Sequence, residues 1–151
     1  MKLIKKQIEG QLETEVEIRY AEMDEEVIHL ITRIEQTNDF IYGTDNGRQY
    51  KIRICDIYYA ESVDKKAFIY TRDAVFRTEL RLYQLSAKLK AYDFVQVSKF
   101  CLINMNVLES IRTLLNSRLE ATLINGERVN VSRTYLNTVN MAFATKGDDS
   151  E

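Results

Sequence analysis

The chain has no proline and only five glycines in 151 residues. It therefore holds neither a rigid proline spacer nor a glycine-rich linker, and its elements are expected to join through short turns in one cooperative unit. Two cysteines, Cys55 and Cys101, are too few for a disulfide framework or a four-sulfur zinc site; both have apolar neighbours and are expected to pack in the core. The one histidine, His29, has no matching carboxylate or cysteine cluster and is read as a structural or surface residue. No apolar run approaches the ~18 residues of a membrane span, and Met1 opens a charged, strand-like segment without a signal-peptide core, so a cytoplasmic location is expected. The sequence has no glycine-rich phosphate loop, nucleophile elbow, HExxH or calcium-loop pattern. Acidic pairs such as Glu25/Glu26 lack a cleft context, and Ser98, Ser132 and Tyr135 lack a base and an orienting acid. A non-enzyme without metal or cofactor is expected.

What is present is charged and alternating. The formal charge of -2 hides a division. Residues 1–39 hold five basic and ten acidic side chains, residues 40–146 hold sixteen basic and ten acidic, and the tail from Gly147 adds three acids. The segment charges are -5, +6 and -3. Alternation at Leu3 to Ile8 and at Val16, Ile18 and Tyr20, with a turn at Gly10 and Gln11, predicts two short strands. Val27, Leu30, Ile31 and Ile34 recur at helical spacing after the acidic Asp24, Glu25 and Glu26, predicting a helix over residues 23–37. Phe40 to Tyr42 and Tyr50 to Ile54 flank a TDNG turn, and the segments at 56–61 and 67–71 flank a polar break tipped by Lys65 and Lys66; both read as hairpins. Leu82, Leu85 and Leu89 share one face of a helix predicted over residues 78–90. Short strands follow at 94–97, 102–104, 111, 119–124 and 128–131, with a hairpin at Asn125 to Glu127, then a closing turn or short helix at 133–141. Many short strands with two helices predict a mainly antiparallel β architecture and exclude a doubly wound sheet.

The basic residues sit at predicted strand margins: Lys65 and Lys66 at a hairpin tip, Lys99 after Val97-Ser98, Arg133 after Val131-Ser132. Rigid strands could project such donors at DNA phosphates or purine edges. Residue chemistry alone leaves three readings open: DNA binding, a protein-interaction module and ligand sensing.

The ordered text DIYYAESVDKKAFIYT, LYQLSAKLKAYDFVQVSKFCLINMNVLESI and ATLINGERVNVSRTYL resembles the LytTR family of bacterial DNA-binding domains over about residues 47–145. The resemblance implies a mainly β (α+β) fold, an elongated antiparallel β-sheet domain with a small helix. It also implies transcription regulation by loops in successive major grooves of double-stranded promoter DNA. Its DNA-contacting positions map onto Lys65 and Lys66, onto Ser98 and Lys99, and onto Arg133, with Arg128 and Tyr135 as supporting contacts. Gln96 stands where the family often has arginine, which puts a phosphate or structural contact there in doubt. Residues 1–43 are then an accessory β/helix extension, 44–146 the DNA-binding domain and 147–151 a flexible acidic tail. The extension is too short for a receiver domain; in stand-alone relatives such a segment implies packing or self-association. A homodimer is expected, and family context adds functional coupling to a small membrane protein. A non-enzymatic protein-interaction module in a regulatory complex is the competing reading.

Overall fold

The computed structural model describes residues 1–37 and 39–149. Two compact units are present, Met1–Ile34 and Glu35–Glu151.

In the first unit, helix α1 (Glu25–Gln36) starts where the sequence predicts it. The Asp24 carboxylate accepts the Val27 N–H at 2.9 Å, satisfying one orphan amide, and Glu25 and Glu26 lie against the positive end of the helix. The two strands expected before it do not form: residues 1–24 carry only a turn at Gly10 (φ 84°) and bends. Leu3, Ile4, Ile8 and Val16 are all more than half exposed. Alternation supplies a strand with faces but not with a hydrogen-bonded neighbour, and a lone two-stranded hairpin is marginal in water.

The second unit is built on two antiparallel sheets. Strands β1 (Phe40–Asp45), β2 (Arg48–Arg53), β3 (Tyr59–Val63), β4 (Lys66–Tyr70), β5 (Val75–Thr78), β6 (Phe94–Ser98) and β7 (Cys101–Asn104) form a seven-stranded sheet in the order β2-β1-β5-β4-β3-β7-β6. Strands β8 (Leu108–Thr113), β9 (Leu119–Leu123) and β10 (Arg128–Val131) form a three-stranded sheet in the order β10-β9-β8. Helix α2 (Leu82–Leu89) follows β5, and α3 (Leu136–Asp149) closes the chain. The mainly antiparallel α+β architecture is the one expected.

Side-chain period explains where the core sits. On one face of the large sheet, Ile41, Ile52, Ala60, Ile69 and Leu102 pack with Leu85 and Leu89 of α2. On the other, Cys101, Ile103 and Val97 pack with Leu119, Ala121 and Val131 of the small sheet and Val139 of α3. Strand β7 is therefore buried on both faces, which is why Cys101-Leu102-Ile103 reads as an unbroken apolar run ahead of the buried Asn104. Gly43 marks a close approach: a Cβ there would meet Ile52 Cδ1 and Phe76 Cβ at 2.8 Å.

Several elements differ from expectation. Helix α2 begins later than predicted because Thr78 ends strand β5, paired with Ala67 of β4, and Arg81 at the N-cap is extended (φ -79°, ψ 158°). The closing segment is a full helix through Asp149 rather than a short turn; Ser150 and Glu151, the end of the expected tail, lie outside the described residues. Cys55 is exposed while Cys101 is buried, because Cys55 sits in a one-turn 3-10 helix (Ile54–Asp56) whose Ile54 takes the inward position. Among the described residues, no helix is long and apolar enough to cross a membrane.

Candidate nucleic-acid interface

The hairpin joining β3 to β4 turns through Asp64 and Lys65, both with positive φ (51° and 64°). Two consecutive left-handed residues match the right-handed twist of the flanking strands, but without glycine or asparagine the geometry is intrinsically costly. Arg81, just ahead of α2, compensates: its Nη1 donates to the Lys65 carbonyl at 2.7 Å. Arg81 is itself held at the helix start, where its backbone N–H donates to Gln84 Oε1 at 2.8 Å.

The hairpin joining β6 to β7 turns through Lys99 and Phe100. Ser98 Oγ accepts the Phe100 N–H at 3.2 Å, and the Phe100 carbonyl accepts from Ser62 N at 2.8 Å. That last bond, next to the Glu61↔Cys101 pair, puts the two hairpin tips at the same end of the sheet, about two strand spacings or roughly 10 Å apart centre to centre. A register shift between Gln96 and Ser98 makes Val97 a bulge. Its carbonyl, freed from the ladder, accepts from Ser132 N at 2.8 Å and so joins the start of the Arg133 turn to the same end. Arg133 Nη2 donates to the Asn116 carbonyl at 3.0 Å, tying in the loop between β8 and β9, where Leu114 N donates to the Arg118 carbonyl at 2.7 Å.

One end of the second unit thus gathers exposed Lys65, Lys66, Arg81, Lys99, Arg118 and Arg133. Among the described residues, none of them makes an ion pair. Acids at this end by register include Asp64 in the β3–β4 turn, Glu79 just after β5, and Glu61 in β3, which pairs with Cys101 and accepts from the Tyr70 hydroxyl at 3.1 Å. Arg81 and Arg133 each donate to a carbonyl, of Lys65 and Asn116; convergent cations that no carboxylate neutralises suit an extended anion.

Of the residues singled out from the sequence, Lys65, Lys66, Ser98, Lys99 and Arg133 come together here. Tyr135 is half-buried against the second core cluster, beside the site but engaged in packing. Arg128 lies at the other end of β10, paired with Thr122 while Val131 pairs with Leu119, and is separated from Val131 by about 10 Å of strand. Gln96 is half-buried in β6 opposite Leu102. Sequence reading missed Arg81, Arg118 and Asn116. Arg118 in a polar turn was a detectable signal; the role of Arg81 required knowing that β5 ends beside the β3–β4 turn.

Among the described residues no group of three or more acidic, histidine or cysteine side chains could hold a metal. Burial pushes the Cys101 thiol up to about 12, with Glu61 adding to the effect. Tyr59 and Tyr70, stacked at 4.1 Å, are likewise raised, mainly by burial.

A β fold with cationic loops at one end is the class these features define. The LytTr DNA-binding domain model matches residues 47–144, and the chain belongs to that family. It is 30% identical over 135 residues to the sensory transduction protein LytT of Bacillus cereus, covering 89% of this chain and 50% of that one. It is 23% identical over 132 residues to an uncharacterized HTH-type transcriptional regulator of Staphylococcus aureus, covering 86% and 89%. A solved LytTr DNA-binding domain from Bacillus cereus superposes with a TM-score of 0.65 at 19% identity, covering 70% of this chain and 96% of that one, which shows the shared fold. The chain spans about half the length of the LytT protein.

Proposed function

We propose that this chain is a non-enzymatic transcription regulator that binds double-stranded promoter DNA in a sequence-specific manner through the Lys65, Lys99 and Arg133 loops, each entering the major groove. The observation that carries the reading is the backbone linkage of the three loops, Ser62 to Phe100 and Val97 to Ser132, which presents unpaired cations on one rigid end. Arg133 uses one of its five N–H donors on Asn116, leaving a pre-oriented fork for the two acceptors of a guanine edge. Lys99 and Lys65 supply point charges for phosphate or purine atoms. Arg128, at the opposite end of β10, contributes at most a contact to DNA running past the domain.

The reading extends to a homodimer on DNA, which doubles the phosphate and base contacts. The apolar side chains that the first unit leaves exposed, Leu3, Ile4, Ile8, Val16 and Ile28, support association through that unit. Functional coupling to a small membrane protein belongs to the same reading on family likeness alone.

Selection of randomised duplexes by the purified chain, followed by titration over a salt series, tests the proposal. An enriched motif is expected. Arg133→Ala should lose about ten- to hundredfold in affinity for it and relax one position. Lys99→Ala should weaken binding and, if it meets phosphate, reduce the salt slope by about 0.9. Folded protein that enriches no motif would refute the function; a motif bound equally by both variants would refute the assignment of the residues.

A further inference from the structure

The tip of the β6–β7 hairpin carries a side chain that neither the core nor the cationic surface explains. Phe100 is 55% exposed. It cannot turn inward by a local backbone adjustment, because its N–H is held by Ser98 Oγ at 3.2 Å and its carbonyl by Ser62 N at 2.8 Å. Its ring has a cationic neighbour in the Lys99 ammonium, 5.6 Å from the centroid. The other exposed aromatic side chains on the large sheet are tyrosines with a ring partner and a hydroxyl: Tyr42 lies edge-on to Phe40 and Tyr50 packs on Phe76. A phenyl ring has no hydroxyl to hydrate, so this exposure leaves apolar surface in water until a partner removes it.

We propose that Phe100 is a base-reading residue that packs against the C5-methyl group of a thymine, giving the protein a preference for thymine beside the base or phosphate taken by Lys99. The inference rests on the DNA-binding reading above. Its chemistry follows from the groove. A two-stranded hairpin fits the major groove, about 12 Å wide, and not the minor groove, about 6 Å wide, where wedge insertion between bases is the common use of an apolar side chain. On the major-groove edge the thymine methyl is the bulky apolar feature that a phenyl ring can recognise, whereas the other groups that distinguish the bases there are hydrogen-bond donors and acceptors. Pinning of both backbone groups of Phe100 makes its placement a property of the fold, and the neighbouring Lys99 supplies the charge that brings the tip to the duplex.

The test replaces each thymine of the selected duplex, one at a time, by uracil, which deletes only the methyl group. Affinities are measured for the wild-type chain, Phe100→Ala and Phe100→Leu, with a thermal melt of each to confirm folding. For the wild type, uracil at one or two positions should weaken binding about fourfold, the worth of one buried methyl-sized group. In Phe100→Ala that penalty should vanish at the same positions while other positions keep theirs, and in Phe100→Leu it should persist in part. An enriched motif with uracil penalties identical in wild type and Phe100→Ala would overturn the inference and leave the DNA-binding reading standing. Loss of affinity in Phe100→Ala that is uniform across duplexes, with unstacking of a 2-aminopurine reporter by the wild type, would overturn it in favour of a wedge. Absence of any enriched motif would overturn the DNA-binding reading itself.

Discussion

Asn104 ends the FVQVSKFCLIN stretch and is one of the few polar residues inside the second unit, 2% exposed. Its Nδ2 donates to the Ile57 carbonyl at 2.9 Å, its Oδ1 accepts from Asn106 N at 2.9 Å, and its own N–H donates to the Tyr58 carbonyl at 2.9 Å. The side chain therefore bridges the chain entering β3 to the chain leaving β7. Asn104→Ala keeps the backbone bond and deletes both side-chain bonds. Each is worth about 0.5–1.5 kcal/mol net, and the stranded Ile57 carbonyl, in a residue with no exposed surface, adds about 1–3 kcal/mol. These terms overlap, and a total loss of about 3 kcal/mol is expected. At a urea dependence of about 1.5 kcal/mol per molar, the unfolding midpoint should fall by about 2 M. Asn104→Asp separates the two bonds. Its carboxylate keeps the acceptor for Asn106 but sets a buried charge against the Ile57 carbonyl, so at neutral pH it should be less stable than Asn104→Ala. Protonation restores a donor, so the folded state holds its proton to higher pH than the unfolded chain does, and stability should rise as pH falls. DNA affinity of Asn104→Ala, measured well below its melting temperature, should be unchanged, since Asn104 lies at the far end of β7 from the Lys99 turn. A loss in Asn104→Ala below about 1 kcal/mol, or an Asn104→Asp variant with no pH dependence, would refute this account of the residue.

Arg81→Ala removes the clamp on the Lys65 carbonyl; amide exchange across Val63–Lys66 should accelerate about tenfold, the worth of a charge-assisted bond, and unchanged exchange would show that the turn holds itself. Iodoacetamide at pH 8 should label Cys55 in the native chain and reach Cys101 only in denaturant, because burial holds the Cys101 thiol up to about 12; equal labelling would contradict the packing of β7. The same upward shift makes the unfolded chain, whose thiol ionises near 9.0, lose its proton first. Stability should therefore fall as pH rises above about 9, and by less in Cys101→Ala.

What the sequence disclosed depended on whether the signal was local. Asn46 and Gly47 (φ 49° and 78°), and Gly126 (φ 90°) after Asn125, are turn residues by their own chemistry, so the hairpins they make were readable. Leu85 and Leu89, with no exposed surface, were readable from helical spacing. Strand β5 was not, because VFRT is four residues long and becomes a strand by lying between β4 and β1. The alternation at Val16 and Ile18 erred in the opposite sense, since a pattern that fits a strand cannot provide its partner. The same distinction runs through the interface. Lys65, Lys99 and Arg133 could be picked out at strand margins, whereas their convergence depends on Arg81, on the Val97 bulge and on Asn116, all defined by pairing between distant segments.

The loops at this end are joined chiefly by main-chain bonds: Ser62 to Phe100 and Val97 to Ser132. Lys99 and Phe100 project from the tip without taking part in those bonds through their side chains. Substitutions there should therefore change which bases are read while leaving the backbone that does the presenting intact. Arg133 is different, because its guanidinium also holds the Asn116 loop. A change at Arg133 alters both the contact and its support, whereas a change at Lys99 or Phe100 alters the contact alone. Specificity in this chain should accordingly be easier to redirect at the β6–β7 tip than at the β10 end.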